Sequence, residues 1–573
     1  MPHVGCTEIK TANKMKNVAK DGFLFMKLKY ISIAAVMSVL LVLFFPVFWN
    51  VIFVGNDMNY NELHKIGTFY NNKILLMFAI AGVGIFLALY CLLRKIPFNH
   101  YTIVGVIIFS LCTCILFYFI NVKISKCIAF YGGWDCGMVA NSARWIYEGG
   151  ELGYDDYYTI YVNNVPITWI LYKLYSISSE LPNYPYNPEF IWIEFQCFMF
   201  AAAIFFSAMT VLIISKKVAL TGMIVLVNTI FLGLSPWQII PYTDASTIAI
   251  PVFTIFLYAL FLKIKHKIRY LLWLLMIIAG VLGGIIKATC YVPLIAILLV
   301  DLIWTLFDRS SIFQKLKELI YRIVLFLCGF LAASYCKFGM YQSLNYEYDY
   351  DMAMTWTNYL YNGLNELTTG ACSGDGLIIV RSYAGYPRYI RVGFEKKYIK
   401  ERLIAKGFKG LMDFWLRKQV MNFNDGTFSW FQEGGFNSWA YEDIIDSSWE
   451  EPLQDFYWED GKNFPWFNTI SQGIWIFVLL GVIAEAVQLL INAIVCLKKR
   501  LDDVGDFSDA LRIRTVGIVT FIGIFLFVML FEGRARYLFN SIAVFSTMAA
   551  VSYCNLADKL LCFERIRKSK ESN

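Results

Sequence analysis

An aspartate flanked by glycines is the first residue whose type and position suit chemistry. Asp135 lies in the segment Tyr131-Gly132-Gly133-Trp134-Asp135-Cys136-Gly137-Met138, shortly after a long apolar run at 102–120. A carboxylate just beyond such a run is expected at a membrane surface, where it can act as a general base on a hydroxyl within hydrogen-bond reach. The alternative is structural, because Asp is a favoured N-cap and spacing alone favours a cap for the following helical stretch.

A second carboxylate and an isolated lysine lie near the ends of later apolar runs. Asp244 ends the sequence Pro241-Tyr242-Thr243-Asp244 and is interpreted as a second carboxylate of the site or as another cap. Lys287 interrupts an apolar stretch after Gly283-Gly284-Ile285-Ile286. Because a charge within a membrane span costs roughly 2.5–3.5 kcal/mol on insertion scales, this lysine is a functional candidate by default. The alternative is a lysine whose ammonium extends to the membrane interface.

Two arginines lie in a very short turn before the last apolar run, in Phe531-Glu532-Gly533-Arg534-Ala535-Arg536-Tyr537. A guanidinium presents a planar fork of donors that matches the oxygens of a phosphate. Arg534 and Arg536 are therefore candidates for binding a phosphate, and the alternative pairs one of them with Glu532. So short a turn needs few charges, which favours the phosphate.

The composition indicates that a membrane bundle must position these residues. The chain has 573 residues, of which 58% are hydrophobic and 16% are charged, and its mean hydropathy is +0.55. Soluble proteins have about 45–50% apolar and about 25% charged residues. These values exclude ordinary soluble domains and indicate an all-α polytopic membrane protein. The four histidines are scattered and the cysteines lack ligand spacing, so no metal site is predicted.

Twelve apolar runs are long enough, at about 1.5 Å per helical residue, to cross a hydrocarbon core about 30 Å thick. They lie at about 30–54, 73–93, 102–120, 190–214, 218–235, 245–263, 270–286, 289–307, 319–337, 469–496, 513–531 and 537–554. Lysines and arginines of the short loops follow every second run, counted from the second. They lie at 94–95, 216–217, 263–269, 309–317, 498–500 and 565–570. The positive-inside rule assigns that face, and with it both termini, to the cytoplasm.

This assignment predicts the domain organisation. The parts are a cytoplasmic tail at 1–29, a membrane region at 30–337 with nine spans and an external catalytic loop at 121–189, an extracytoplasmic domain at 338–468, three spans at 469–554, and a basic cytoplasmic tail at 555–573. Within the extracytoplasmic domain, the stretch 396–421 alternates basic and apolar residues. Two interpretations stay open, a basic amphipathic helix on the outer leaflet or a helix packed within a small external domain.

The order of these motifs resembles that of the GT-C superfamily of membrane glycosyltransferases. The chain is similar to bacterial relatives of protein O-mannosyltransferases and of the lipid A aminoarabinose transferase, and in particular to integral membrane proteins of Gram-positive bacteria. The pattern is an Asp in the first large external loop, then a Tyr-rich stretch with Asn163-Asn164-Val165-Pro166 in place of a Lys-Pro-Pro-like element. A Tyr-Thr-Asp and an Arg-x-Arg-Tyr follow. The similarity covers most of residues 100–310 and the C-terminal hairpin.

The resemblance implies a GT-C-like bundle and a role for each motif. It makes Asp135 the catalytic base and Asp244 a second catalytic carboxylate. Cys136 stands where many relatives have a second acid, and the Asn-Asn element lacks the family's lysine, which Lys287 would replace. The donor phosphate is expected at Lys287, Arg534, Arg536, Asn163 and Asn164. Trp134, Tyr161, Tyr242 and Trp430 are candidates for contact with the acceptor or its sugar. For the tryptophans of the segment 338–468, Trp430 among them, structural packing is the alternative and the favoured role for most.

The expected activity is transfer of a sugar from a polyprenyl-phosphate donor, such as undecaprenyl phosphate, with inversion at the anomeric carbon. The expected acceptor is a cell-wall polymer, a glycolipid or a protein outside the plasma membrane. No cofactor is expected, a divalent metal is possible but not expected, and the partners are membrane lipid, donor and acceptor, without nucleic acid. The alternatives are a polysaccharide polymerase or ligase, and a transporter or flippase of lipid-linked sugars. Asp301 and Glu485 are charges within spans for which the sequence suggests no partner.

Overall fold

The computed structural model of the protein describes residues 4–55, 71–153, 157–181, 190–307, 310–372, 374–430, 433, 439–440, 448–498 and 509–571. The basic positions 309 and 499–500 of the predicted cytoplasmic loops lie outside the described residues.

The described part of the chain is a helical membrane bundle, as predicted. Eleven of its helices are long and apolar enough to cross a membrane: Lys27–Phe53, Asn72–Leu93, His100–Ile128, Phe190–Ser215, Thr243–Lys263, Arg269–Ile286, Ala288–Leu306, Ile312–Ser343, Phe464–Lys498, Asp509–Leu530 and Ala535–Cys562. The remaining predicted span is a shorter apolar helix, Val218–Gly233, of 16 residues. At about 1.5 Å per residue it is shorter than the hydrocarbon core, and it packs within the bundle rather than facing lipid on all sides.

The helices are numbered here in chain order. They are α1 (Val4–Phe53), α2 (Asn72–Leu93), α3 (His100–Ile128), α4 (Asp135–Tyr147), α5 (Tyr157–Ile160), α6 (Val165–Glu180), α7 (Phe190–Ser215), α8 (Val218–Gly233), α9 (Thr243–Ser246), α10 (Ala249–Lys263), α11 (Arg269–Ile286), α12 (Tyr291–Leu306), α13 (Ile312–Ser343), α14 (Trp356–Gly363), α15 (Asp375–Ser382), α16 (Arg388–Phe423), α17 (Glu450–Tyr457), α18 (Phe464–Lys498), α19 (Asp509–Leu530) and α20 (Ile542–Glu571). Short 3-10 turns occupy Val162–Asn164, Pro236–Ile239, Ala288–Cys290 and Ala535–Ser541.

Several helices continue beyond the apolar runs that predicted them. The run at 102–120 lies in α3, which ends at Ile128, and the run at 319–337 lies in α13, which ends at Ser343. The tenth run begins at 469, whereas α18 begins at Phe464. Hydropathy marks only the part of a helix within hydrocarbon, so the helical ends that carry the two external segments were not predicted.

A two-residue strand pair joins the segments 121–189 and 338–468. Strand β1 (Phe130–Tyr131) pairs antiparallel with β2 (Trp439–Ala440), with Phe130 opposite Ala440 and Tyr131 opposite Trp439. The pair lies immediately before the glycines that precede Asp135. It therefore fixes the start of the Asp135 segment against the segment 338–468.

The basic amphipathic stretch is packed against other parts of the segment 338–468. It lies in α16, which bends at Gly407, where φ is 58°. Ile399 and Phe414 are buried against the rest of the external segment. Ile404 and Phe408, on either side of the bend, remain 69% and 82% exposed. The helix is therefore packed within the segment 338–468 and leaves two apolar side chains exposed at its bend.

Glycines allow α11 to pack closely on its neighbours. A Cβ at Gly283 would lie 2.5 Å from Cγ2 of Ile250, and one at Gly284 would lie 2.3 Å from the ring of Tyr291. Small residues at such contacts let membrane helices approach. The close approach carries the C-terminal end of α11, and Lys287 after it, towards the short helix α9.

The two charges within spans have partners that the sequence did not suggest. Asp301 forms ion pairs with Arg322 and Arg512. Glu485 is paired with Arg514, at 2.5 Å between Oε1 and Nε. Each pair joins different helices, which explains why no local spacing revealed it.

Candidate functional site

The first residue of α4 is Asp135, and it does not cap that helix. Trp134 is the N-cap, with extended backbone and no side-chain cap hydrogen bond. The interpretation of Asp135 as a cap, which spacing alone favoured, is therefore wrong. Its carboxylate is instead directed to side chains from other elements.

Two glycines determine the path of the chain into α4. A Cβ at Gly132 would lie 2.2 Å from Sγ of Cys136, and one at Gly137 would lie 2.0 Å from the carbonyl oxygen of Gly132. A side chain at either position would push the backbone around Gly132 away from the first turn of α4. Cys136 is fully buried here, and burial raises the pKa of its thiol to about 12, so it remains neutral and supplies no second acid beside Asp135.

Both oxygens of the Asp135 carboxylate accept hydrogen bonds from tyrosine hydroxyls. The hydroxyl of Tyr157 donates to Oδ1 at 3.0 Å. The hydroxyl of Tyr242 lies 3.3 Å from Oδ2 and 3.1 Å from Oδ1 of Asn164, so its single proton is divided between two acceptors. Asn164 in turn donates to the Tyr157 oxygen at 2.7 Å. A carboxylate has about four acceptor positions, so capacity remains for a further hydroxyl.

Burial keeps these two tyrosines protonated. Burial, and after it the charge of Asp135, raises the pKa of Tyr157 and of Tyr242 well above the usual value. Both hydroxyls are therefore hydrogen-bond donors at any physiological pH. Asp135 itself is only partly buried and can meet a molecule from outside.

The Asn-Asn element lies in this network. It forms the 3-10 turn that ends at Asn164. Helix α6 begins directly after it with Val165, and Pro166 lies in the first turn, a position that suits proline. Asn163 donates to Oδ1 of Asn164 at 3.0 Å and accepts from the hydroxyl of Tyr359 at 3.2 Å. Asn163 is exposed and Asn164 is buried.

The ring of Tyr242 joins the carboxylate to the basic residues. Trp134 packs edge-on against it, with ring centroids 5.0 Å apart. The guanidinium of Arg536 lies 4.4 Å from the Trp134 ring and 5.4 Å from the Tyr242 ring. The ammonium of Lys287 lies 5.8 Å from the same Tyr242 ring and 4.3 Å from that of Tyr537. Asp135 and three of the five predicted phosphate ligands, Lys287, Arg536 and Asn164, thus meet around one aromatic side chain.

Asp244 and Lys287 form a buried ion pair. The Lys287 ammonium lies 2.7 Å from Oδ1 of Asp244, and the two side chains are 14% and 2% exposed. Burial lowers the pKa of Lys287; Asp244 opposes this change and Arg536 adds to it. Asp244 is not a cap, because its oxygens accept no backbone hydrogen bond among the described residues.

The arginine pair has a partner, but not the predicted alternative. Arg534 and Arg536 both pair with Glu433, at 2.5 Å and 2.8 Å. Glu532 instead accepts from the Tyr537 hydroxyl and from Asn362, each at 3.0 Å. Glu433 belongs to the external segment far away in sequence, so no local pattern pointed to it.

Donors remain available around the arginines despite these pairs. Nη1 of Arg536 and Nε of Arg534 are buried without a hydrogen-bond partner among the described residues, and so is Nε1 of Trp134. Buried donors are normally satisfied. A ligand with several oxygen atoms could accept hydrogen bonds from these three unused donors.

Trp430 does not belong to this cluster. It is 3% exposed, its indole donates to the carbonyl of Tyr457 at 2.8 Å, and it packs on Phe130 and Trp237. The prediction that it contacts an acceptor sugar is therefore wrong, since its ring faces are covered by protein. Tyr161 is partly exposed and packs against Tyr157, with centroids 5.2 Å apart, so it lies at the edge of the cluster.

A buried lysine donates hydrogen bonds to the start of the turn 531–537, called here the arginine turn because it carries Arg534 and Arg536. Lys418 of α16 donates to the carbonyls of Gly363, Met529 and Phe531, at 2.8, 3.2 and 2.5 Å. Burial lowers its pKa to about 7, against the effect of Glu532. The sequence presented Lys418 as one of many basic residues of an amphipathic stretch, and nothing local distinguished it.

The described residues contain no group of three or more His, Cys, Asp or Glu side chains arranged to hold a metal ion. The cluster's own charges are three carboxylates, Asp135, Asp244 and Glu433, and three cations, Lys287, Arg534 and Arg536.

A comparison with protein families assigns the chain to a family of integral membrane proteins. The family described as "Conserved hypothetical integral membrane protein" matches residues 25–556. The chain belongs to this family. The matched region of this integral membrane protein family contains every residue of the cluster around Tyr242. No curated protein matches the chain significantly.

Proposed function

We propose that the protein is a GT-C-type glycosyltransferase that uses a polyprenyl-phosphate sugar as donor. The observation that supports this most directly is the convergence of Asp135, Arg536 and Lys287 around Tyr242. A partly buried carboxylate with spare acceptor positions lies beside cations that retain unused donors. A general base for the acceptor hydroxyl and a cationic region for the leaving group are the two requirements of this reaction.

In the proposed reaction, the acceptor hydroxyl donates its proton to Asp135 while its oxygen attacks the anomeric carbon. The bond from that carbon to the phosphate oxygen breaks, the configuration inverts, and polyprenyl phosphate leaves with the electron pair. Arg536 and Lys287 stabilise the negative charge that develops on the phosphate, and preorganised charge of this kind supplies much of an enzyme's rate enhancement. Trp134 and Tyr161 border the partly exposed side and contact the acceptor.

The position of the cluster suits a lipid-linked donor. Asp135 lies seven residues after the end of α3, Asp244 begins the span Thr243–Lys263, and Lys287 connects two spans. All therefore lie at or near the ends of helices that are apolar enough to cross a membrane. The proposal places them at headgroup depth, where a prenyl phosphate presents its charge. The face is proposed to be the outer side of the plasma membrane, and the acceptor a wall polymer, a glycolipid or a protein.

The test is transfer of radiolabelled sugar from a synthetic polyprenyl-phosphate hexose by the purified full-length protein. Asp135→Asn keeps the size of the side chain and an acceptor oxygen for the tyrosines but removes the base, so the rate should fall by about 10²–10⁴-fold. Glu148→Gln, in the exposed Arg144–Glu148 pair of the same helix, is the matched control and should retain full rate.

Full activity of Asp135→Asn would remove Asp135 from the mechanism. Movement of labelled donor across a liposome membrane without transfer would favour the flippase instead. Because the leaving group is a monophosphate and the cations are side chains, transfer should continue in a chelator. Loss of transfer in chelator with recovery on addition of manganese would contradict that expectation.

A further inference from the structure

A large basic cavity lies at the end of the bundle opposite Asp135. It has a volume of about 1480 Å³ and is formed by the ends of α11, α12, α13 and α19. Arg269 begins α11 and lines the cavity, whereas Lys287 follows the other end of the same helix. The helix has 18 residues, which correspond to a length of about 27 Å at 1.5 Å per residue. The cavity is therefore separate from the cluster around Tyr242.

The charge of this cavity is strongly unbalanced. Eight of the residues that line it are lysine or arginine, and two, Glu318 and Asp509, are acidic. Arg269 pairs with Glu318 at 2.7 Å, and Arg322 and Arg512 share Asp301 beneath the cavity. Even with Asp301 counted, cations exceed carboxylates by five. A concave surface lined by one sign of charge concentrates ligands of the opposite sign.

Part of this positive charge has no counter-charge in the described chain. Lys265, Lys267 and Lys317 are exposed and form no ion pair with any described residue. Deeper in the cavity, Nε of Arg322 and Nε of Arg512 are buried without a hydrogen-bond partner among the described residues. Their side chains are 12% and 14% exposed. Exposed ammonium groups together with buried, unsatisfied guanidinium donors suit a ligand with several anionic oxygens.

The surroundings of the cavity are those of a membrane interface. Tyr270, Tyr321 and Trp304 line it, and such aromatic residues are typical of the headgroup level. The helix α13 continues from the cavity as an apolar surface, with Ile320, Ile323 and Leu327 each more than 50% exposed. Acyl chains can lie along that surface while a headgroup occupies the cavity, because basic pockets between membrane helices bind anionic lipid headgroups.

We propose that this cavity binds a phosphate-bearing polyanion, with an anionic phospholipid headgroup as the source that the α13 surface favours. The proposal does not depend on the glycosyltransferase activity. The same phosphate chemistry is available from a free compound, so the experiment compares tetraoleoyl cardiolipin with inorganic pyrophosphate.

The measurement is binding of each probe to the purified full-length protein, by native mass spectrometry for cardiolipin and by calorimetry for pyrophosphate. The reference lipid is phosphatidylcholine, a zwitterion without net charge. Lys265, Lys267 and Lys317 are changed together to Gln. These lysines make no structural ion pair, so the protein should fold normally. Because each basic residue near an anionic headgroup strengthens binding several-fold, the dissociation constant should rise by at least about tenfold.

The matched control changes Lys95, Lys216 and Lys498 to Gln, because these exposed lysines lie at the same ends of other helices and do not line the cavity. The control should change the dissociation constant by less than about twofold. Equal losses in the two triple variants, or cardiolipin binding no tighter than phosphatidylcholine and no binding of pyrophosphate, would overturn the proposal. If only cardiolipin binds, the phosphate ligand of the cavity is a lipid headgroup. If pyrophosphate binds and competes with cardiolipin, the ligand is a free phosphate compound.

Discussion

At the scale of single residues, Tyr242 has the largest influence on the candidate site. Its hydroxyl contacts Asp135 and Asn164, and its ring contacts Trp134, Arg536 and Lys287. It is fully enclosed, so these contacts have one geometry. The position of the carboxylate relative to the cations therefore depends on this side chain.

Tyr242→Phe should distinguish the role of the hydroxyl, which positions Asp135, from the role of the ring, which packs against its neighbours. The ring remains, the hydroxyl is lost, and the free energy of unfolding should fall by about 1 kcal/mol, the net value of one hydrogen bond. Transfer should fall by roughly tenfold, because Asp135 loses one of two groups that orient it. The matched control is Tyr258→Phe, which removes a buried hydroxyl from another aspartate, Asp301, within the bundle. Equal activity of the two variants would contradict a positioning role for Tyr242.

The Asp244–Lys287 pair gives a second residue-scale prediction. Removing one partner of a buried ion pair leaves the other charge uncompensated, at a cost of about 3–5 kcal/mol. Lys287→Met and Asp244→Asn should therefore each lower the unfolding temperature strongly, whereas the double variant should recover much of the loss. Transfer should remain low in the double variant, because the cation for the phosphate is absent. Additive losses of stability would show that the two side chains do not interact.

At the scale of elements, the arginine turn depends on a helix from another part of the chain. Lys418 of α16 donates to carbonyls on both sides of the site: Gly363 at the end of α14, and Met529 and Phe531 at the end of α19. The backbone N–H of Glu532 also donates to the carbonyl of Tyr359 at 2.8 Å. The external segment thus fixes the turn that carries Arg534 and Arg536.

Lys418→Met should loosen this turn and change the pH dependence of stability. Folding lowers the pKa of Lys418 from 10.5 to about 7, so between these values the unfolded chain binds more protons than the folded protein. The contribution of Lys418 to the free energy of unfolding therefore rises as the pH increases from about 7 towards 10. Wild type should gain stability relative to Lys418→Met over this range, measured by thermal unfolding in detergent.

The exposed Lys409 of the same helix is the control, since Lys409→Met removes a solvated lysine and should leave the pH profile unchanged. Identical pH profiles of wild type and Lys418→Met would contradict the assigned pKa. Transfer by Lys418→Met should also fall, because three carbonyls lose their donor and the arginines lose their fixed position.

The elements also show what the sequence could and could not predict. The thickness of the hydrocarbon core sets the length of apolar sequence that a membrane span needs. The positions of the spans could therefore be predicted from hydropathy. Asp135, Asp244, Lys287 and Arg536 were predictable because each is a charge at the end of such a run. Glu433 and Lys418 were not, because their partners lie in segments distant along the chain and only the folded external domain brings them together.

At the scale of the whole molecule, the two ends of the bundle differ in charge. The end with the basic cavity carries exposed lysines in its short loops, and Asp558 there is paired with both Arg94 and Lys217, at 3.4 and 2.6 Å. The other end carries the external segment and a cluster in which three carboxylates match three cations. Since lysine and arginine in short loops are retained in the cytoplasm, the bundle should have one orientation, with Asp135 outside.

Cysteine labelling in intact cells tests that orientation for the whole molecule. Glu151→Cys places a thiol on an exposed position beyond α4, and His266→Cys places one in the exposed loop between α10 and α11, beside the basic cavity. In a chain whose exposed native cysteines are replaced by serine, a membrane-impermeant maleimide should label position 151 in intact cells and position 266 only after lysis. The opposite pattern would place Asp135 in the cytoplasm. There an acceptor outside the cell could not reach it, and the proposed reaction would fail even if Asp135→Asn were inactive.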